Sequence, residues 1–478
     1  MPMGSLRFLH SHRQLPLDEV HPLLRFLRTE FAIGDLTQRQ SILKLLAKEN
    51  KHGQMVHGSR TEVTDSRQPQ DKYEGLNGTS TSDRVKIHSR IPSLDVLRGV
   101  VMMLMALDHT RDFFTNQNID LMDPSHLSLP YFFTRWITHL CAPTFVFLAG
   151  VGAYMQLARG QSKGAVSRFL AIRGCWLIFL ELTIVYFVWI GMPGVSILQI
   201  IWAIGVSMVF LSGLVWLPIP VVAAIGVILV AGHNTLDGIH AASLGNWSVL
   251  WRLGHEPGFV SFHGRPILYV VYPIVPWNGL MALGFCFGRL WTAPAGQRIR
   301  WSAGLGTGLV ALFLILRAFH GYGDPNTWAS QHGIAPAITT FLNVEKYPPS
   351  LQYICITIGL SLLLLAWFEW LISSGRAPWL RSTAEVYGRV PLAYYVLHVG
   401  LIHLLTIITC ALTGHDWHRF TTPLPYGSVA LGTPQGYGFS LPVIYLIWIG
   451  IVASLYWPMK RYASYKRTHP ENKWLSYL

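Results

Sequence analysis

The residues that could carry out group-transfer chemistry are concentrated in residues 90–114, which read R-I-P-S-L-D-V-L-R-G-V-V-M-M-L-M-A-L-D-H-T-R-D-F-F. Within this stretch, Arg98 and His109 are 11 residues apart. On an α-helix they would share one face, about 20° apart in azimuth and about 16 Å apart along the axis. Ionisable groups in an apolar helix are costly in lipid, so we expect them to face a protein interior or a watery cavity. The alternative is that they only anchor the helix ends at the membrane interface.

Acyl transfer to a hydroxyl or an amine is the chemistry that suits these residue types. The reaction needs a base for the acceptor's proton and donors for the oxyanion that develops. Histidine titrates near neutral pH, so His109 fits the role of base, and Asp108 or Asp112 could orient its ring. Arg98, about three turns away, suits a phosphorylated donor, because a guanidinium group matches phosphate geometry.

A second apolar run opens with two more candidate residues. Arg135 and His139 are i,i+4 neighbours, so they would lie on one helix face. Pro143 leaves the carbonyl of His139 without its helical donor. Such a carbonyl is tolerated in a membrane where a neighbouring group or water satisfies it.

Three further candidates each have a structural explanation beside the functional one. His126 follows the first apolar run and could be a solvated loop residue. Lys346 could form an interfacial ion pair with Glu345. His398 lies inside an apolar run and could donate a hydrogen bond to a neighbouring helix.

The composition indicates a polytopic α-helical membrane protein. The chain has 478 residues, of which 51% are hydrophobic and only 13% are charged, whereas a typical soluble domain is about 25% charged. A net charge of +13 would favour nucleic-acid binding in a soluble protein. Here, basic residues fall in short loops between apolar runs, as the positive-inside rule requires. We therefore expect a lipid bilayer, and no nucleic acid, as partner.

About ten apolar runs approach the ~20 residues that a bilayer requires. They lie at residues 93–113, 131–157, 168–189, 195–216, 219–232, 269–290, 301–319, 350–371, 390–412 and 441–458. With the N-terminus inside, basic residues cluster at four of the five inside positions. This predicts an all-α transmembrane bundle over residues 88–478 with both termini in the cytoplasm. Residues 1–87 are polar and are predicted to form a partly disordered cytoplasmic segment.

The spacing of cysteine and histidine residues does not indicate a metal site. The five cysteines lie in or beside apolar runs and form no C-x-x-C, which is typical of packing residues. A zinc site needs at least three converging ligands, and the spacing identifies no such set, so no metal is expected. Motifs of soluble enzymes such as G-x-S-x-G and H-E-x-x-H are also absent from the sequence.

Several motifs carry a resemblance to a known family. S-L-D-V-L-R-G at 93–99, D-H-T-R-D at 108–112 and A-P-T-F-V-F-L-A-G at 142–150 resemble the heparan-alpha-glucosaminide N-acetyltransferase catalytic-domain family, in its bacterial branch. Later segments look similar to that branch too, namely Y-P-I-V-P-W-N-G at 272–279, N-V-E-K-Y-P-P-S at 343–350 and R-V-P-L-A-Y-Y-V-L-H at 389–398. The resemblance covers residues 88–478. The spacing of Arg98 and His109 is also similar to the first-helix motif of bacterial membrane O-acyltransferases in the same superfamily of transmembrane acyl transferases.

The resemblance implies acetyl-CoA as donor on the cytoplasmic side and a sugar amine or hydroxyl as acceptor on the far side. We expect a multi-pass protein of the bacterial inner (plasma) membrane, and a homodimer stays open. The candidate donor-binding residues are Arg98, Asp95, Arg135, Lys346 and His398. The candidate catalytic residues are His109, Asp108, Asp112, His126 and His139.

The identity of the base is the point at which the chain departs from the family pattern. In the lysosomal enzyme the position that matches His109 is Asn, and the catalytic histidine lies further on, where this chain offers His126. We take His109 as the first choice, with His126 and His139 behind it. Transfer through an acyl-histidine and direct transfer in a ternary complex both stay open.

Two other classes of function stay open. A proton-coupled small-solute transporter would use intramembrane His and Asp residues as a relay, but the sequence shows no related halves. A membrane scaffold would keep the charges of the first run paired and buried, with no cavity beside them. An enzyme predicts a funnel that joins the cytoplasmic side to His109.

Overall fold

The fold was analysed in a computed structural model, which describes residues 91–116, 128–191, 194–326, 328, 333–422, 433–469, 471–472 and 475. The N-terminal segment predicted over residues 1–87, its boundary with the membrane domain, and His126 lie outside the described residues.

The described chain consists of α-helices and one small sheet. The first eight helices are α1 (Pro92–Phe114), α2 (Leu129–Thr138), α3 (Cys141–Ala158), α4 (Lys163–Leu180), α5 (Tyr186–Ile190), α6 (Ile200–Leu214), α7 (Ile219–Gly232) and α8 (Ser248–Gly254). The others are α9 (Val275–Gly288), α10 (Ala295–Phe319), α11 (Ile334–Leu342), α12 (Leu351–Ser373), α13 (Pro378–Arg389), α14 (Pro391–Leu412), α15 (His418–Thr421) and α16 (Leu441–Thr468). A π-helical segment, Glu181–Val185, joins α4 to α5.

The helices confirm that this is an all-α, polytopic membrane protein. Each predicted apolar run overlaps at least one helix. Among the described residues, seven helical segments are long and apolar enough to cross a membrane, and α6 is apolar but shorter. The number of crossings and the cytoplasmic location of the termini remain predictions.

A three-stranded sheet shortens two of the predicted runs. Its strands are β1 (Ser196–Leu198), β2 (Gly258–Phe262) and β3 (Arg265–Val270), and β3 lies between β1 and β2, parallel to the first and antiparallel to the second. The predicted runs 195–216 and 269–290 therefore begin too early, since their first residues belong to strands. For the second run the reason is proline chemistry. Pro273 disfavours helix before it, and Pro276 is tolerated because it falls in the first turn of α9.

The second predicted run is divided at His139. Helix α2 ends one residue before it, and α3 begins two residues after it. The carbonyl of His139, freed by Pro143, accepts a hydrogen bond of 2.9 Å from the hydroxyl of Tyr353 in α12. The group that satisfies this carbonyl is thus a tyrosine side chain from a distant helix.

Helix α1 lies at the centre of the bundle and packs against α2, α3, α12, α13, α14 and α16. Glycine allows its closest approach, to α13. A Cβ on Gly99 would lie 1.8 Å from the carbonyl oxygen of Ala384, and one on Gly388 would lie 1.9 Å from that of Asp95. Any larger residue would force the two helices apart.

Two buried glutamates connect helices through their carboxylates. Glu369 of α12 accepts a hydrogen bond of 2.5 Å from Ser93 of α1 and forms an ion pair with Arg298 of α10. Glu181 accepts hydrogen bonds from the backbone N–H groups of Gln199 (3.3 Å) and Trp202 (3.0 Å), so it satisfies donors at the start of α6.

Gly150→Ala should destabilise the protein, because a Cβ at this position of α3 would lie 2.1 Å from the carbonyl oxygen of Met281 in α9. Overpacking of this kind costs about 1–3 kcal/mol of unfolding free energy. Gly152→Ala is the matched control, since a Cβ there meets nothing within 4 Å. Thermal unfolding of both variants in detergent measures the difference. Equal stability of the two variants would contradict the close packing of α3 on α9.

Candidate functional site

A pair of buried histidines links α1 to α14. Nδ1 of His109 lies 2.9 Å from Nε2 of His398, and Nδ1 of His398 lies 2.7 Å from the carbonyl oxygen of Tyr394. A carbonyl can only accept, so Nδ1 of His398 carries a proton. With both rings neutral, Nε2 of His398 then accepts from Nδ1–H of His109. The ring planes differ by only 3°, which is compatible with an in-plane hydrogen bond. The lone pair of His109 is therefore on Nε2.

Aromatic side chains hold the ring of His109 from two sides. Trp189 contacts it edge-on with 4.8 Å between ring centroids, and Tyr395 does so at 6.0 Å. The indole N–H of Trp189 also donates to the hydroxyl of Tyr395 at 3.1 Å. His109 is only 8% exposed, so this contact and the bond to His398 together determine its orientation.

A buried charge network follows His109 on α1. The guanidinium of Arg111 lies 2.7 Å from a carboxylate oxygen of Asp108 and 2.6 Å from one of Asp112. The hydroxyl of Thr138 donates to Asp108 at 2.7 Å. Arg111 is 5% exposed, so the cost of desolvating these charges is offset mainly by their mutual pairing. Nη1 of Arg111 is buried without a hydrogen-bond partner among the described residues.

Lys346, Arg135 and His139 extend this network beyond α1. The charge of Lys346 acts on Asp108, His109 and His139, and that of Arg135 acts on Asp108. Burial disfavours the charged form of Lys346. Tyr347 and Asp108 outweigh burial, so the pKa of Lys346 is raised above its usual value and the side chain stays cationic. Both ring nitrogens of His139 are buried without a hydrogen-bond partner in the described part of the chain.

A cavity of about 280 Å³ lies along α1 on the side of Arg98. Four cations from four helices line it: Arg98, Arg173, Arg389 and Lys466. Apolar side chains supply most of the remaining lining. Two of them, Met102 and Met105, follow Arg98 at helical spacing, and His109 comes one turn later on the same stripe.

His109 does not line this cavity. Tyr395 forms part of the cavity wall, and its ring also contacts the ring of His109. The shared face predicted for Arg98 and His109 is therefore the face of α1 along which the cavity runs.

Comparison with known protein families adds a finding from sequence. Residues 90–317 match the family model described as heparan-alpha-glucosaminide N-acetyltransferase, catalytic. The match supports this family over those residues, which make up slightly less than half of the chain. In general terms the protein is a membrane acetyltransferase. No curated protein matches the chain.

The acetyltransferase match includes the whole of α1 and ends within α10. Arg98, Asp108, His109, Asp112 and the Arg135–His139 pair therefore lie inside it. Lys346 and His398 lie beyond it, and only the tertiary structure brings them to His109.

The predicted donor-binding residues divide between the two ends of α1. Asp95 and Arg98 form an ion pair of 3.1 Å at the cavity end, and Arg98 also reaches the carbonyl of Gly388 at 3.5 Å. Arg135, Lys346 and His398 lie instead with the predicted catalytic residues Asp108, His109, Asp112 and His139.

Several residues that line the cavity were not predicted from the sequence. Arg173, Arg389 and Lys466 were predicted only as charges that orient the protein in the membrane, and Tyr395 was not a candidate. No ligand set for a metal was expected, whereas the structure brings His233, Asp237 and His255 together. The spacing of His233 and Asp237, one helical turn, was the only local signal for that cluster.

Arg111→Ala should lower the free energy of unfolding by about 3–5 kcal/mol, because it leaves two carboxylates buried without their cation. Adding Asp112→Asn to this variant should restore part of the loss. Arg381→Ala is the control, since its ion pair with Glu385 is 49% exposed on the arginine side and should contribute less than about 1 kcal/mol. Denaturation in detergent tests this. A small effect of Arg111→Ala would contradict the buried network.

Proposed function

We propose that this protein transfers the acetyl group of acetyl-CoA, bound from the cytoplasmic side, to an amine or hydroxyl of a sugar on the far side of the membrane. The observation that carries the proposal is the cavity beside α1. It combines four cations with an apolar lining, and its wall includes the aromatic residue that contacts His109. Acetyl-CoA has chemical groups in a matching order, with phosphates at one end, a largely apolar arm in the middle and a thioester at the other end.

The cationic part of the cavity suits the phosphates of the donor. Guanidinium groups bind phosphate through paired, charge-assisted hydrogen bonds. Arg98 pairs with Asp95 and Arg389 pairs with Glu385, so their positive charge is partly compensated. All four cations line the same cavity.

The same cations favour entry from the cytoplasm, where CoA esters are found. Arg173, Arg389 and Lys466 belong to the basic clusters from which the positive-inside rule assigns the cytoplasmic side. Orientation and donor chemistry thus depend on the same residues. The apolar lining from Met102 to Met105 would take the arm and direct the thioester toward Tyr395.

His109 is the base in this proposal. Its Nε2 accepts the proton of the acceptor as the acceptor's oxygen or nitrogen attacks the thioester carbonyl carbon. The C–S bond then breaks, and the imidazolium returns the proton to the departing CoA thiolate. His398 acts as a positioning residue, because its Nε2 accepts the Nδ1–H of His109 and so keeps the lone pair on the opposite nitrogen.

The charge network beyond His109 suits a polyhydroxylated acceptor. The side chains of Asp108 and Asp112 keep 19% and 20% of their surface exposed, so their remaining lone pairs can accept hydrogen bonds. Among the described residues, Nη1 of Arg111 and the ring nitrogens of His139 are buried polar atoms without a hydrogen-bond partner, so a ligand could satisfy them. A sugar offers hydroxyl groups that both donate and accept, which fits such a mixed set.

His109→Ala should lower the turnover of acetyl-CoA at least about 100-fold, the usual minimum for removal of a general base, while acetyl-CoA still binds. The measurement is release of CoA thiol by the purified protein in nanodiscs with sugar amines as acceptors. His418→Ala, a histidine with a 67% exposed side chain, is the control. Turnover that survives His109→Ala would contradict this assignment and direct attention to His139 and His126. A parent protein that does not bind acetyl-CoA would overturn the donor proposal itself.

Arg173→Gln should weaken acetyl-CoA binding at least about 10-fold, since a hydrogen bond to a charged group contributes about 1.5–3 kcal/mol. Arg168→Gln, on the same helix but exposed and outside the lining, should leave affinity unchanged. Acetyl-pantetheine lacks the nucleotide and its phosphates, so its affinity should not respond to Arg173→Gln. Equal weakening for both thioesters would contradict phosphate recognition at this position.

A further inference from the structure

A second cluster of titratable side chains lies apart from α1, in the segment that follows α7. One potential ligand atom from each of His233, Asp237 and His255 lies within 4.8 Å of the other two. His233 and Asp237 belong to the turn at the end of α7, and His255 follows α8 directly. The cluster thus holds the segment between residues 237 and 255 close to the end of α7.

The histidines of this cluster are buried with hydrogen-bonding capacity to spare. His233 is 2% exposed and His255 is 4% exposed. Neither ring nitrogen of His233 has a hydrogen-bond partner, and Nδ1 of His255 has none either, within the described residues. The carbonyl oxygen of Pro349 lies close enough to act as a weak hydrogen-bond acceptor for one ring nitrogen of His233, outside ideal hydrogen-bond geometry, which leaves the other ring nitrogen for a ligand. Buried polar atoms without partners are costly, so a ligand that satisfies them is favoured.

One distance in the cluster is compatible both with a hydrogen bond and with a shared transition-metal ion. Nε2 of His255 lies 3.2 Å from a carboxylate oxygen of Asp237. Neighbouring ligands of a tetrahedral zinc ion, bound at about 2.0–2.1 Å, are about 3.3 Å apart. The other carboxylate oxygen of Asp237 accepts a hydrogen bond of 2.9 Å from Asn234, which orients the group as an outer-shell partner does.

We propose that His233, Asp237 and His255 together bind one divalent transition-metal ion, with zinc as the fitting species. Two imidazoles and one carboxylate suit zinc better than the all-oxygen sites that magnesium and calcium prefer. The side chain of Asp237 is 25% exposed, which leaves room for water as the fourth ligand. None of its residues lines the cavity beside Arg98, so the site is separate from the proposed donor site.

The ion would hold the loop before α12 as well as the segment after α7. Besides its bond to Asp237, Asn234 accepts a hydrogen bond of 3.0 Å from the backbone N–H of Leu351, the first residue of α12. Lys346 lies in the loop that leads to this residue. A metal that fixes Asp237 therefore restrains, through one amide side chain, the segment that carries Lys346 to the charge network.

Metal titration of the full-length protein, purified with a tag that contains no histidine, tests the proposal. After removal of metal by a chelator, zinc should bind at one equivalent per chain in competition with a chromophoric chelator. Cobalt should give the visible absorption of a four-coordinate ion. His255→Gln and His233→Ala should each weaken zinc binding at least about 100-fold, because loss of even an outer-shell partner costs 10–100-fold. Calcium and magnesium should not compete.

His418→Ala provides the matched control, since His418 also lies beside an aspartate, 3.1 Å from Asp416, but on an exposed surface. It should bind zinc like the parent. Zinc should also raise the melting temperature of the parent and of His418→Ala, but not that of His255→Gln. His255→Gln keeps a side chain that can hydrogen-bond to Asp237, so it should remain folded and bind acetyl-CoA like the parent. Less than one equivalent of zinc in the parent, or equal affinity in the cluster variants, would overturn the site.

Discussion

Burial of charge on α1 is the constraint on which the rest of the structure depends. This helix carries six ionisable side chains and lies at the centre of the bundle: Asp95, Arg98, Asp108, His109, Arg111 and Asp112. Moving an ion from water into a protein interior costs several kcal/mol even after relaxation. Each of these groups must therefore find a partner on α1 or on a helix packed against it. The close contact between α1 and α13 at Gly99 and Gly388 shows that a neighbouring helix packs tightly against α1.

The ionisable side chains of α1 form two chemically different groups, one at each end of the helix. At one end, Arg98 and Asp95 pair beside a cavity that three further cations line. At the other end, Arg111 forms ion pairs with two carboxylates, and His109 is hydrogen-bonded to His398. About 16 Å of helix separates Arg98 from His109. Under the proposed function, this separation would let a donor be held by its phosphates at one end of α1 while its thioester reaches a base near the other end.

Polar atoms without hydrogen-bond partners distinguish the His109 end of α1 from a network that only stabilises the fold. A network that only stabilised the fold would leave few polar atoms without partners, since each one costs free energy. Here Nη1 of Arg111 and both ring nitrogens of His139 are buried and without hydrogen bonds among the described residues. The same imbalance recurs at His233 and His255, outside α1. At both sites the fold therefore keeps unpaired polar atoms, and a bound ligand would remove their free-energy cost.

The sequence by itself determined the class of protein and the content of its central helix. The length and apolarity of the runs predicted the helices, and the pairing of Arg98 with His109 at helical spacing predicted their shared face, because both depend only on local periodicity. It did not determine which side chains meet from distant helices. His398 reaches His109 across 289 positions of the chain, and the cations of the cavity come from four helices. These contacts depend on the angles and positions at which the helices cross. Close backbone contacts, such as those at Gly99 and Gly388, determine the crossing geometry, and they form only when the whole bundle packs.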